Sequence, residues 1–130
     1  MRVRKVLAVA VSLLVASCDD SAGPTGDIEI RIANESSFAF ESVDVVFPSD
    51  SVDYGPVPSH GVSQYARVEQ AHAYALIIVR VGGEELRIQP IDYVGTPLLV
   101  AGRYTYALNV TEGQLTLATR NDNLVPQVTR

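Results

Sequence analysis

The stretch "ALIIVRVGGEELRIQP", Ala75 to Pro90, decides the fold class. Its first half is apolar at nearly every position from Ala73 to Val81. A run of that kind fits either a buried helix or a strand buried on both faces. The cluster Ile77-Ile78-Val79 favours the strand, because β-branched side chains suit a pleated surface. Gly82-Gly83 then supplies the positive φ of a tight two-residue hairpin turn. "EELRI" returns with Leu86 and Ile88 on one face, and Pro90 ends the pairing. One hairpin with a central first strand is therefore the seed of the fold.

Working outward, the same grammar repeats. In "DIEIRIA", Ile28, Ile30 and Ile32 alternate with Asp27, Glu29 and Arg31, which predicts a strand with one dry face. "NESS" interrupts it. "FAFESVDVVF" carries Phe38 and Phe40 in one phase and Val43, Val45 and Phe47 in the other, so a bulge or break falls at Glu41-Ser42. The turn-rich segment Pro48–Gly61 holds one short strand around Val52–Tyr54, and "VSQYARV" predicts another. "IDYVGTP" is an ordered connection or a short edge strand. "GRYTYALNV" places Tyr104, Tyr106, Leu108 and Val110 on one face, and Glu112-Gly113 turns the chain into "QLTLATR". About seven short strands at near ten-residue spacing predict an all-β chain with a single antiparallel, immunoglobulin-like sandwich over residues 27–120. Leu99, Gly102 and Tyr104 match the L-x-x-G-x-Y pattern of a tyrosine corner, which makes Tyr104 structural. Residues 121–130 have little pattern and read as a frayed tail.

The N-terminal segment follows different rules. Arg2, Arg4 and Lys5 precede twelve residues, Val6 to Ser17, that are largely apolar. This is the layout of a cleaved signal peptide, residues 1–17. Twelve helical residues rise about 18 Å, against a hydrocarbon core of about 30 Å, so the segment is too short for a stable span. Val15-Ala16-Ser17-Cys18 resembles the bacterial lipobox: an aliphatic residue, two small residues that admit a peptidase, and a cysteine. The resemblance implies cleavage between Ser17 and Cys18 and acylation of Cys18, the chain's one cysteine. Two or three acyl chains make a firm anchor, where one is marginal. "DDSAGPTG", Asp19 to Gly26, completes a tether, residues 18–26, whose eight residues after the cysteine reach at most about 28 Å. Asp19 and Asp20 sit where lipoprotein sorting is read. In enteric bacteria such an acidic residue keeps the protein at the inner membrane; in other Gram-negative groups it accompanies surface export.

Maturation also changes the charge. The chain has ten basic and fifteen acidic residues. Three basic residues precede Cys18, which leaves seven against fifteen and a net charge of −8. An acidic surface disfavours nucleic acid, whose binding rests on Lys and Arg. It also disfavours adsorption to anionic lipid beyond the anchor.

Taken together, "SSFAFESVDV", "DYGPVPSHGVSQYARVEQAHAYALI", "QPIDYVGTPLLVAGRYTYAL" and "LTLATR" resemble a group of small bacterial lipoproteins of unknown function. The resemblance covers nearly all of the chain after Cys18. It implies a lipobox, a short linker and one β-rich domain, and carries no catalytic residue.

Chemistry-bearing patterns are sparse. Ser59-His60-Gly61 lacks the G-x-S-x-G elbow of a hydrolase. His72 has no second histidine at ligand spacing, and Asp44, Asp50 and Asp53 lack the EF-hand pattern. Asp50-Ser51-Val52 and Asp20-Ser21-Ala22 resemble short O-glycosylation sites. Tyr54, Tyr65, Tyr74 and Tyr93 are candidates for a sugar-stacking platform, against the plainer role of rim packing. The sequence therefore reads as a non-enzymatic envelope structural or interaction module without metal or cofactor. Its partners would be the membrane, through the lipid, and an envelope protein or glycan. The alternative is a glycan or small-ligand binder using Tyr54, Tyr65 and Tyr93.

Overall fold

The computed structural model describes residues 27–93 and 95–123. The signal segment, Ser17, Cys18, the tether 18–26 and residues 124–130 lie outside the described residues. Eight strands form, in order β1 (Ile28–Asn34), β2 (Ser42–Val46), β3 (Ser51–Asp53), β4 (Ala66–Val68), β5 (Leu76–Val81), β6 (Glu84–Ile88), β7 (Gly102–Thr111) and β8 (Gln114–Asn121). No helix occurs among the described residues. The strands make two four-stranded sheets, ordered β4-β1-β7-β8 and β3-β2-β5-β6.

Alternation built these sheets. Ile28, Ile30 and Ile32 of β1 and Tyr104, Tyr106 and Leu108 of β7 enter the core from the first sheet. Val43 and Val45 of β2 and Ile77 and Val79 of β5 enter it from the second. The Phe47 and Tyr106 rings meet across the core with centroids 6.1 Å apart. The hairpin that seeded the sequence reading is present: Val81 pairs with Glu84, and Gly82 and Gly83 have φ of 59° and 82°. That is the mirror-image turn whose twist matches the strands.

Two expectations need correction. The strands number eight, in two four-stranded sheets, with β1 and β2 in different sheets. Their pairing is not purely antiparallel, because β1 and β7 run parallel from Ile28↔Gly102 to Asn34↔Leu108. And β5, although central, is dry on one face only: Ile77 and Val79 are buried, while Ile78 is half-buried and Arg80 exposed. Its solid apolar run reflects a lightly polar outer face rather than burial on both sides.

Smaller differences have local causes. Of "VSQYARV", only Ala66–Val68 is strand, and Val62 makes a single bridge to Ala33. Phe40 bridges Val57 and is buried, whereas Phe38 is half exposed. The break between β1 and β2 is organised by buried Asn34. Its Nδ2 donates to Phe38 O (2.7 Å) and Val57 O (3.1 Å), and its Oδ1 accepts from Ser36 N and Oγ. Every polar atom of that side chain is paired, as burial demands.

The corner before β7 has the bond its pattern requires. Tyr104 Oη donates to Val100 O at 2.8 Å, four residues upstream. Gly102, with φ of 145°, lets the chain turn there, and its N–H donates to Asp27 O. Leu99 packs against the core and its N–H donates to Ala71 O. Tyr104→Phe should cost about 1 kcal/mol, the net value of one hydrogen bond, read by urea denaturation.

Connections sort to two poles. The start of β1, the β2–β3, β4–β5 and β6–β7 connections and the end of β8 lie at one pole, because parallel β1 and β7 both begin there. The Gly82-Gly83 and Glu112-Gly113 turns and the β1–β2 and β3–β4 connections lie at the other.

Candidate functional site

Two of the candidate tyrosines share one groove. It has a volume of about 430 Å³ and runs between edge strands β3 and β4, lined by Asp53, Tyr54, Pro56, Gln64 and Tyr65 among others. Tyr54 is half-buried, and its hydroxyl donates to Ile30 O at 2.9 Å. Burial, reinforced by Tyr106 and Asp50, pushes its phenol far above the ordinary value. It is thus a neutral strut between the sheets with one side in the groove.

Tyr65 is held by side chains of β1 and β7 and by Asp122, just past the end of β8. The guanidinium carbons of Arg31 and Arg103 lie 4.9 and 4.8 Å from its ring centroid, within cation–π range. Its hydroxyl donates to Asp122 Oδ2 at 2.8 Å, and Thr105 Oγ1 donates to the same oxygen at 2.6 Å. Arg31 Nε donates to Thr105 Oγ1 at 2.9 Å, and Arg103 Nε to Glu29 Oε1 at 2.7 Å. Burial raises the Tyr65 phenol first, and the bond to Asp122 adds to it. For Asp122, burial works upward, but the bonds from Thr105 and Tyr65 and the charges of Arg31 and Arg120 outweigh it, so its carboxyl lies below the usual range.

Asp122 belongs to the segment read as a frayed tail. β8 runs to Asn121, Asp122 N donates to Arg103 O, and Asn123 Oδ1 accepts from Arg103 N. Sequence reasoning missed this residue because its partners are remote: Tyr65 lies 57 positions away. Asp122→Asn should cost about 1–2 kcal/mol at pH 7, the scale of hydrogen bonds to a charged acceptor. A depressed carboxyl contributes stability above its unfolded value, near 3.9, and loses it as pH falls through the folded value. The gap between wild type and Asp122→Asn in thermal denaturation should therefore narrow as pH is taken down from about 4.

Tyr93 does not join this groove. It lies in the β6–β7 connection, stacked on His72 (centroids 4.5 Å apart, planes at 15°) and on Tyr74 (5.6 Å, 15°). Tyr74 Oη and Thr96 Oγ1 are 2.6 Å apart. His72 Nδ1 lies 3.2 Å from Pro97 O, a contact that needs the proton on Nδ1 because a carbonyl only accepts. A smaller cavity of about 240 Å³ adjoins Tyr93, lined by Phe47, Pro48, Leu76 and Pro90 among others.

The other singled-out residues are dispersed. Ser59 Oγ donates to Ser36 O at 2.7 Å, and the adjacent His60 is exposed with φ of 61°. Asp44 and Asp53 face each other across β2 and β3, and burial, then Asp53, raises the Asp44 carboxyl. Among the described residues, no three His, Cys, Asp or Glu side chains converge as metal ligands. An apolar cavity of about 460 Å³ between the two hairpin turns, lined by Phe38, Val81, Leu86 and Val110 among others, was not indicated by any motif. The signal available for it was Phe38, an aromatic in a strand phase that its neighbours abandon.

No known protein family matches this chain, and no curated protein matches it. Among solved structures, the NMR structure of a protein from Eubacterium rectale is similar in fold, with a TM-score of 0.53 over 79% of this chain and 91% of that one. The two sequences are 13% identical, so the likeness is one of fold alone.

Proposed function

We propose that the chain is a bacterial lipoprotein whose β domain acts as a non-enzymatic structural or interaction module of the cell envelope. The observation that carries this is Val15-Ala16-Ser17-Cys18 at the end of a basic, then apolar, N-terminal segment. Cys18 becomes the first residue of the mature protein. The anchor holds the domain on the periplasmic face or the cell surface of a Gram-negative envelope. The domain is immunoglobulin-like in its layering and its tyrosine corner, not in its strand order. The module reading is supported by how the hydroxyl groups are used. Those of Tyr54, Tyr104, Tyr106 and Ser59 each donate to a backbone carbonyl, so they brace the fold.

Mass spectrometry of the N-terminal peptide from membranes tests the proposal. The expected species begins at Cys18 and carries two or three acyl chains. An unmodified Cys18 in a chain that retains residues 1–17 would overturn it.

A second reading, glycan or small-ligand binding, is favoured by the convergence of Tyr54 and Tyr65 on one groove. A sugar-dependent rise in melting temperature that Tyr65→Ala abolishes would select this reading over the first.

A further inference from the structure

The β6–β7 connection exposes apolar side chains at the pole where β1 begins. Ile91 is 98% exposed, Val100 72% and Leu98 46%. Among the described residues, Val46 at the end of β2 is a further exposed large apolar residue at this pole. Aliphatic side chains at this exposure need an explanation when they cluster.

Their presentation is built rather than incidental. Leu99 turns inward, and its N–H is tied to Ala71 O. Its two neighbours, Leu98 and Val100, are the exposed ones. The tyrosine corner pins Val100 O from Tyr104, so the backbone behind Val100 is held on both sides. Two residues after Val100, Gly102 N donates to Asp27 O at 2.9 Å. Asp27 is the first described residue of the domain, and eight residues separate it from Cys18. A fully extended tether of that length spans about 28 Å. The apolar connection and Asp27, the residue that follows the tether in sequence, thus share one pole.

We infer that Ile91, Leu98 and Val100 dock into the surface of the bilayer that holds the lipid, and so fix the domain's orientation on it. This rests on the lipoprotein reading. The tether makes docking an intramolecular event, so a contact too weak to recruit a free protein suffices. The chemistry of the contact is apolar. Residues 89–101 contain no Lys or Arg, and the basic side chains at this pole, Arg67 and Arg103, are paired with Asp27 and Glu29, while Asp50, Glu69 and Asp92 add negative charge to its connections. The docked surface is therefore the headgroup–acyl boundary of a zwitterionic bilayer, and added salt does not release it.

The chain has no tryptophan, so single reporters are clean. The full-length lipidated protein is reconstituted in phosphatidylcholine vesicles with brominated acyl chains, carrying Ile91→Trp, Leu98→Trp or, at the other pole, Phe38→Trp. Emission from Trp at 91 and at 98 should shift to the blue and be quenched by bromine, while Trp at 38 remains unquenched. Vesicle-bound protein whose reporters at 91 and 98 stay water-like overturns docking and leaves the anchor standing. Protein that does not float with vesicles and carries no acyl chain overturns both. Equal quenching at 38 and 91 removes the defined orientation and overturns docking. A blue shift that grows with protein concentration without vesicles assigns the patch to a second copy and also overturns it.

Discussion

Tyr106→Ala should destabilise the domain by about 3–5 kcal/mol, the range for deleting a buried aromatic ring. Tyr106 is fully buried in β7 and does three things at once. It contributes a large part of the first sheet's core face. Its ring meets Phe47, which follows β2 of the opposite sheet. Its hydroxyl donates to His72 O at 2.5 Å and so fastens the β4–β5 connection. Truncation leaves a cavity and an unpaired buried carbonyl together. Domains of this size are stable by about 5–15 kcal/mol, so the loss is a large fraction of the total at the lower end of that range. Tyr106→Phe separates the parts: it keeps the ring and should lose about 1–2 kcal/mol through the hydroxyl alone. Urea denaturation of both variants reads the difference, and an alanine variant within about 1 kcal/mol of wild type would remove Tyr106 from this role. Burial also raises the phenols of Tyr54 and Tyr106 strongly. A raised phenol contributes stability in full below its unfolded value, near 10, and loses it as pH rises through the folded value. Alkaline unfolding should therefore set in above about pH 10.

If Cys18 is the anchor proposed above, Cys18→Ala should abolish lipidation outright. The thioether to diacylglycerol forms on sulfur, and alanine offers no acceptor. Cleavage depends on that modification, so residues 1–17 are retained. Fractionation alone is a poor readout, because an uncleaved apolar segment still associates with membranes. Two measurements together decide it. Fatty-acid labelling should fall to background, and the intact mass should rise to that of the 130-residue precursor. Labelling that survives the substitution would falsify the assignment of Cys18 as the anchor. Cys18→Ser, which keeps an oxygen nucleophile, should behave as alanine does.

Much of the fold was legible because alternation reports faces directly. Alternation puts Ile28, Ile30 and Ile32 on a dry face, and all three are buried. Both two-residue turns, at Gly82-Gly83 and Glu112-Gly113, were read from residue type. What alternation does not report is partner or direction. Nothing in "DIEIRIA" distinguishes a parallel neighbour from an antiparallel one, so the β1–β7 pairing was invisible. The candidate site shows the same boundary. Tyr54 and Tyr65 were named as aromatics near loops, which residue type allows. That Tyr65 rests against Arg31 and Arg103 follows from β1 lying between β4 and β7, a tertiary fact. Asp122 was missed for that reason too: its worth comes from Thr105, Tyr65 and Arg31, none of them near it in sequence.

The parallel pairing of β1 with β7 bears on how such a chain is made. β1 is an inner strand, and its two neighbours begin only at Ala66 and Gly102. Bonds such as Arg31 to Thr105 span 74 residues. A nascent chain emerging N-terminus first therefore cannot pair β1 before β4 is made, and cannot complete that pairing before β7. Non-local pairing of this kind also folds slowly. The first sheet closes only when its last strands arrive, so the order of strands along the chain sets when the domain can finish folding.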